Sequence, residues 1–456
     1  MPALPLFEET FLRAQWSAEF DAFESSPESA ALLARLQAWA DRDPLNERAS
    51  ETPFIQRFFA ETWGYHLQGN ETPAYSCRPQ FEVSGAGQSG GTGYADLALG
   101  KFGTSGDAIP QVLCEFKDIR SGLDAKQARK GNTRSPVEQC FDYLYSAWQS
   151  RDRDALTEPF FALVTDMNEF RLYVRRLGRG QFQRFVISGP ASATDPTLLA
   201  ATPAAAFRRF VFWRLFQPDM LLAERGAPLL DRLLRDQIIR EKTIEKEFYR
   251  EYRDYREFVY RTLIEANPHF TGTRGQLVRL TQRFLDRCIF ILFCEDMGRV
   301  LRYPPALLRD ILIYRSQHPH YSPEDSGPWD EMRALFRTMR DGGDFGTHTI
   351  DRFNGGLFEE DPALDSLHIP AKVFCAQGQA TNLLGHPRTL LHFSAAYNFG
   401  LSSAAGERAI SLYTLGRIFE QSITELEIME AEADGRVSIN QLSKRKTDGV
   451  YYTPEW

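Results

Sequence analysis

Tyr94-Ala95-Asp96-Leu97-Ala98-Leu99 and Val112-Leu113-Cys114-Glu115-Phe116-Lys117 are two apolar runs, the first carrying its charge near its start and the second at its end. Bounded by Gly93 and Pro110, they read as strands over residues 93–99 and 110–117. Between them residues 100–109 carry Gly103, Ser105, Gly106 and Asp107, which is turn chemistry, so the runs pair as a hairpin. Neighbouring strands lie about 4.8 Å apart, close enough for Asp96 and Glu115 to share one ion. Side chains alternate across a strand, so Glu115 and Lys117 face one way and Phe116 the other.

Outward from this hairpin, residues 1–45 read as a helical lead-in with Leu32, Leu33, Leu36 and Trp39 at helical spacing. A helix over residues 52–63 follows, its buried stripe being Phe54, Ile55, Phe58, Phe59 and Trp63. Glu51 stands at its start, either reaching toward Asp96 and Glu115 or solvated and favoured by the helix dipole; the second reading is preferred. Residues 74–83 form a further strand ahead of the hairpin. After it, Ser135-Pro136 is an N-cap followed by proline at the first helical position, opening a helix to residue 148. Residues 160–165 and 170–174 read as strands about a turn at 166–168. The order helix, three strands, helix, two strands describes one α/β unit, a mixed central sheet flanked by helices, with domain limits 46–195.

The Ser-, Gly- and Pro-containing stretch 188–196 reads as a linker. Residues 196–440 are then expected to be a mainly α-helical connector domain. Within it, residues 238–266 place Phe248, Tyr252, Tyr255, Phe258, Val259 and Leu263 on one helix face, and residues 284–297 read as a buried core helix stopped by Gly298.

With 456 residues, 43% hydrophobic and 25% charged, the chain has room for two or three domains. A formal charge of −8 excludes a broadly basic surface, so any nucleic-acid contact is expected in a local groove or through a metal. The six cysteines are scattered without a C-x-x-C pair, and no H-E-x-x-H cluster occurs, which argues against disulfides and zinc. The first residues lack the pattern of a signal peptide and no apolar run approaches a membrane span, so a cytoplasmic location is expected.

An acid-x-Lys triplet says little alone: 61 acidic residues and nine lysines in 456 positions predict about one by chance. Asp124-Ala125-Lys126 also matches, but in a polar connecting segment. Glu115-Phe116-Lys117 differs by ending an apolar strand beside Asp96, and Gln139 and Tyr143, four apart, share a face of the next helix. Asp96, Glu115-x-Lys117 and Gln139-x-x-x-Tyr143 together resemble the PD-(D/E)XK nuclease superfamily, in the branch with a Q-x-x-x-Y element. The proline usually preceding the first acid is replaced by Ala95. Phe353-Asn354-Gly355-Gly356-Leu357-Phe358, the Phe290–Gly298 segment and the terminal Gly449-Val450-Tyr451-Tyr452-Thr453-Pro454 resemble type IIG and IIL single-chain restriction-modification enzymes. From the residues alone, Asn354-Gly355-Gly356 is a tight turn requiring positive φ.

The resemblance implies a site-specific deoxyribonuclease. Asp96, Glu115 and the Phe116 carbonyl would hold Mg²⁺ or Mn²⁺, Lys117 would orient the attacking water and offset charge, and Gln139 and Tyr143 would hold waters or the DNA backbone. Arg120, Lys126, Arg129, Lys130 and Arg134 are candidates for phosphate contacts; a solvated basic loop is the alternative. Tyr452, Thr453 and Pro454 would open an adenine-N6 methyltransferase domain, over residues 441–456, that binds S-adenosylmethionine. No N-P-P-Y motif occurs, so the chain reads as an amino-terminal fragment. Its implied partners are double-stranded DNA, with a transient dimer forming on it, and the methyltransferase and target-recognition domains of the same polypeptide. Two rival expectations are a degenerate nuclease-like module that only binds DNA and a non-catalytic interaction scaffold.

Overall fold

The structure, a computed structural model, describes residues 5–42, 47–69, 74–87, 90–103, 110–119, 121–126, 134–190, 195–298, 301–353, 355–384, 388–399, 408–410 and 412–435. The chain divides into two compact units, Met1–Ile239 and Arg240–Trp456.

In the first unit β1 (Tyr75–Val83), β2 (Gly93–Phe102), β3 (Pro110–Phe116), β4 (Phe161–Thr165), β5 (Glu169–Val174) and β6 (Phe182–Val186) form one sheet in sequential order. All neighbours are antiparallel except β3 and β4. That parallel pair requires a crossover, and the helix Pro136–Gln149 supplies it. Every residue of β3 and β4 is buried, as expected of central strands covered on both faces. The sheet is therefore mixed and the unit is α/β.

Five helices of eight or more residues lie wholly among the described residues of this unit: α1 (Glu9–Glu24), α2 (Pro27–Ala40), α3 (Glu47–Phe54), α4 (Pro136–Gln149) and α5 (Pro203–Leu215). One sheet face, including Leu97, Leu99, Val112, Cys114 and Phe116, packs with residues of α1, α2, α3 and α5. The opposite face, with Ala98, Leu113, Ala162 and Val164, receives Val137, Cys140, Phe141 and Leu144 of α4. The hairpin pattern thus lies at the middle of three layers.

Several expectations are corrected. The helix expected to begin at Thr52 begins at Glu47 and carries Pro53, which lacks an N–H. It then widens into a π turn over Ile55–Ala60, where Glu61 N donates to Gln56 O at 3.0 Å. Glu51 consequently sits inside α3 and not at a helix start. Of the residues at helical spacing in the lead-in, Leu32, Leu36 and Trp39 are buried and Leu33 is 40% exposed. β2 runs three residues beyond Leu99, and β6 joins the sheet although no strand was expected there.

The second unit is mainly helical, with its own core. The helix Arg274–Met297 starts ten residues before the expected Phe284, at a Thr273 N-cap whose Oγ1 accepts the Gln276 N–H. Gly298, with φ 42°, follows its end. The helix Leu229–Ala266 likewise starts before Ile238. Of the residues placed on its one face, Phe248, Tyr252, Tyr255, Val259 and Leu263 are buried and Phe258 is 38% exposed. A small hairpin, Gly343–Phe345 with His348–Ile350, interrupts the helical pattern. Among the described residues no helix is long and apolar enough to cross a membrane.

Candidate active site

Register sets Asp96 level with Glu115. The β2–β3 ladder pairs Ala98 with Leu113 and Leu97 with Cys114, and one further step reaches Asp96 and Glu115. Opposite residues of an antiparallel pair share a face, and Ala98 and Leu113 show that this face is the one covered by α4. Beyond the Leu97–Cys114 pair a carboxylate takes over from the backbone, since Asp96 Oδ2 accepts the Phe116 N–H at 2.6 Å. On the other side Lys117 N donates to Thr165 O at 2.9 Å, prolonging the pairing of β3 with β4.

Phe116 fixes the strand end from the opposite face. Its ring centroid lies 5.3 Å from Phe54, the last residue of α3, and 6.1 Å from Phe59 of the π turn, both in the same core. With Phe116 anchored, alternation holds Glu115 and Lys117 toward α4. Glu115 is only 1% exposed, and its Oε1 lies 2.5 Å from Lys117 Nζ. The same ammonium donates to the Phe116 carbonyl at 2.7 Å.

Helix α4 begins with a capping box: Ser135 Oγ accepts the Glu138 N–H, and Glu138 Oε2 accepts the Ser135 N–H. One turn on, Gln139 Nε2 donates to Tyr143 Oη at 2.8 Å. Burial pushes the Tyr143 hydroxyl up to about 12; the nearby Glu115 and Asp96 charges add to this, and the Gln139 bond opposes it. Tyr143 is thus a neutral donor and acceptor at ordinary pH. Burial also pushes the Cys140 thiol up, with the Glu115 and Asp96 charges next in importance, so this thiol stays protonated beside them.

Two residues of this arrangement escaped the motif reading. A Cβ built on Gly93 would lie 2.6 Å from Tyr143 Cε1, so the ring lies where any larger residue's side chain would begin. Cys140 lies one residue beyond Gln139 on α4 and its Sγ is 3.4 Å from Leu113 O. The Q-x-x-x-Y spacing names a helix face without naming what that face touches.

The remaining candidates fall elsewhere. Glu51 Oε1 accepts a bond from Gln80 Nε2 of β1 at 3.4 Å. Lys126 and Arg134 line an open cavity of about 420 Å³ along α4, together with Glu138, Asp142, Tyr145 and Arg179. There Arg134 Nη1 is 2.6 Å from Asp142 Oδ2. Arg120, Arg129, Lys130, Tyr452, Thr453 and Pro454 lie outside the described residues. In the competing triplet, Asp124 is bound by Arg171 Nη1 at 2.8 Å.

The two resemblance stretches in the second unit meet in its core. Phe290 packs edge-on against Phe353 and Phe358, each at 5.8 Å. Arg287 donates to Leu357 O at 2.8 Å and to Glu359 O at 2.6 Å. The expected positive φ is corrected at Gly355, which is extended at φ 166° and precedes a 3₁₀ turn over Gly356–Phe358; Asn354 lies outside the described residues.

Among the described residues no three His, Cys, Asp or Glu side chains gather as a metal-binding group. The set at the strand ends is two carboxylates, Asp96 and Glu115, plus the Phe116 carbonyl. These are hard oxygen donors, and Mg²⁺ needs only one or two carboxylates because it keeps several waters. The donor chemistry fits Mg²⁺ or Mn²⁺ and does not fit zinc, which favours nitrogen and sulfur ligands. Comparison of the chain with protein-family models, with curated proteins and with solved structures finds no match.

Proposed function

We propose that the first unit is a PD-(D/E)XK-like, Mg²⁺-dependent DNA endonuclease module of a restriction-modification enzyme. The observation that supports this most is the convergence at one strand end of Asp96, Glu115, the Phe116 carbonyl and Lys117. Asp96 bonds to the Phe116 N–H and Lys117 bonds to both Glu115 and the Phe116 carbonyl.

In this reading Asp96, Glu115 and the Phe116 carbonyl hold the divalent ion. When bound, that ion supplies Lewis-acid polarisation of the scissile phosphate and lowers the pKa of water. Lys117 orients the attacking water and offsets the charge that builds on the phosphate oxygens. Gln139 and Tyr143 are joined by their own hydrogen bond, and the Glu115 and Asp96 charges act on the Tyr143 hydroxyl. Both are neutral, so they hold waters or backbone oxygens without competing for the ion. Lys126 and Arg134 contribute phosphate contacts beside α4.

The test is nicking of supercoiled plasmid by the chain with Mg²⁺ or Mn²⁺, comparing wild type, Lys117→Ala and Asp96→Ala. Removing a transition-state donor of this kind costs about 10²–10³ in rate, so Lys117→Ala is expected to fall by at least that factor with its circular dichroism unchanged. Wild-type cutting by Lys117→Ala would overturn the assignment. Metal binding and DNA binding without any nicking would favour a module that only binds DNA.

A further inference from the structure

The Lys117 ammonium occupies the place where the ion's ligands converge. Its Nζ is 2.5 Å from Glu115 Oε1 and 2.7 Å from the Phe116 carbonyl oxygen. These belong to two of the three residues assigned above to the metal. Glu115 is 1% and Lys117 13% exposed at the side chain, so the pair lies in a region where charges are poorly screened. A divalent ion bound through the same oxygens would press against an ammonium already in contact with them, and like charges at that separation repel strongly. The two cations therefore exclude one another from the Glu115–Phe116 corner.

We propose that Lys117 is the resident cation of this site, a built-in plug that holds Glu115 and the Phe116 carbonyl in place and is displaced when a divalent ion enters. Displacement frees the ammonium for the substrate side, so loading the ion and arming the lysine are one event. The inference rests on the nuclease reading for the identity of the ligands. It adds that the metal-free state is self-neutralised, because the lysine compensates the buried carboxylate that would otherwise carry an uncompensated charge.

The experiment is Mn²⁺ titration of the full chain by calorimetry, run on wild type, Lys117→Met and Glu115→Gln. A pulse of an amine-acetylating reagent on wild type, read at Lys117 by mass spectrometry with and without Mn²⁺, accompanies it. Lys117→Met is expected to bind Mn²⁺ on the order of ten-fold tighter, the size of a typical coupling between competing ligands. Glu115→Gln should lose binding. In wild type, acetylation of Lys117 should rise several-fold when Mn²⁺ is added while that of Lys126 stays level. The labelling arm needs no variant to fold.

Mn²⁺ binding lost in Glu115→Gln, but with Lys117 acetylation unchanged in wild type, would overturn the plug and leave the metal site standing. No Mn²⁺ binding by wild type or Lys117→Met, or undiminished binding by Glu115→Gln, would overturn the metal site itself and the plug with it.

Discussion

At the scale of single residues, the site is held by contacts too close to tolerate added atoms. Gly93→Ala places a methyl group 2.6 Å from Tyr143 Cε1, and overpacking of this kind costs about 1–3 kcal/mol. Urea unfolding of the variant should show that loss, and tyrosine fluorescence should report a displaced ring. Glu295 offers a different residue-scale test, in the second unit. Its carboxyl is buried, accepts the Leu308 N–H, and is pushed up to about 8, mainly by burial. A carboxyl raised in the folded state binds its proton more tightly there than in the unfolded chain. Its contribution is therefore intact below about pH 4.5 and declines as pH rises toward 8. Asp286, raised by burial to about 6, acts in the same direction over a lower window. Stability of the second unit should fall by a few kcal/mol between pH 4.5 and 8, and Glu295→Gln should flatten most of that slope in thermal melts at stepped pH.

At the scale of elements, β3 and α4 carry the candidate site and each has one dominant support. Phe116 is fully buried, with Phe54 of α3 and Phe59 of the π turn against its ring. Phe116→Ala should cost about 3–5 kcal/mol, and Phe116→Leu much less, by denaturant midpoint. For α4 the support is the capping box. Ser135→Ala removes the acceptor for the Glu138 N–H and should cost about 0.5–2 kcal/mol. Because Gln139 lies in the first turn and a half, the same variant should also speed hydrogen exchange at the start of α4 while leaving β3 protected. These elements were legible because their signals are local: a bounded apolar run, and a Ser-Pro start. The sixth strand was not. Phe182-Gln183-Arg184-Phe185-Val186 sets two polar residues side by side and so shows no apolar–polar alternation; its state is decided by pairing with β5, where Phe170 meets Phe185 and Leu172 meets Gln183. The π turn was equally hidden, because a widened bond such as Glu61 N to Gln56 O leaves no mark in the periodicity of the apolar residues.

At the scale of the whole molecule, two compact units with separate hydrophobic cores predict two unfolding transitions in calorimetry. Phe116→Ala should lower one of them and Glu295→Gln should alter the pH response of the other; a single transition shifted by both would contradict this. The chain's own residues determined a great deal at short range. Two charged apolar strands, a capped helix with Gln139 and Tyr143 on one face, and long apolar helical stripes all follow from spacing and side-chain chemistry. Tertiary structure alone decided which side chains meet. Asp96 caps the Phe116 N–H, Lys117 neutralises Glu115, Gly93 leaves room for Tyr143, and Arg287 holds the turn after Gly356. The physical reason is range: periodicity is set by neighbours within a few residues, whereas a charge pair, a close ring contact or a buried arginine is set by segments that reach one another only once the sheet and its covering helices have packed.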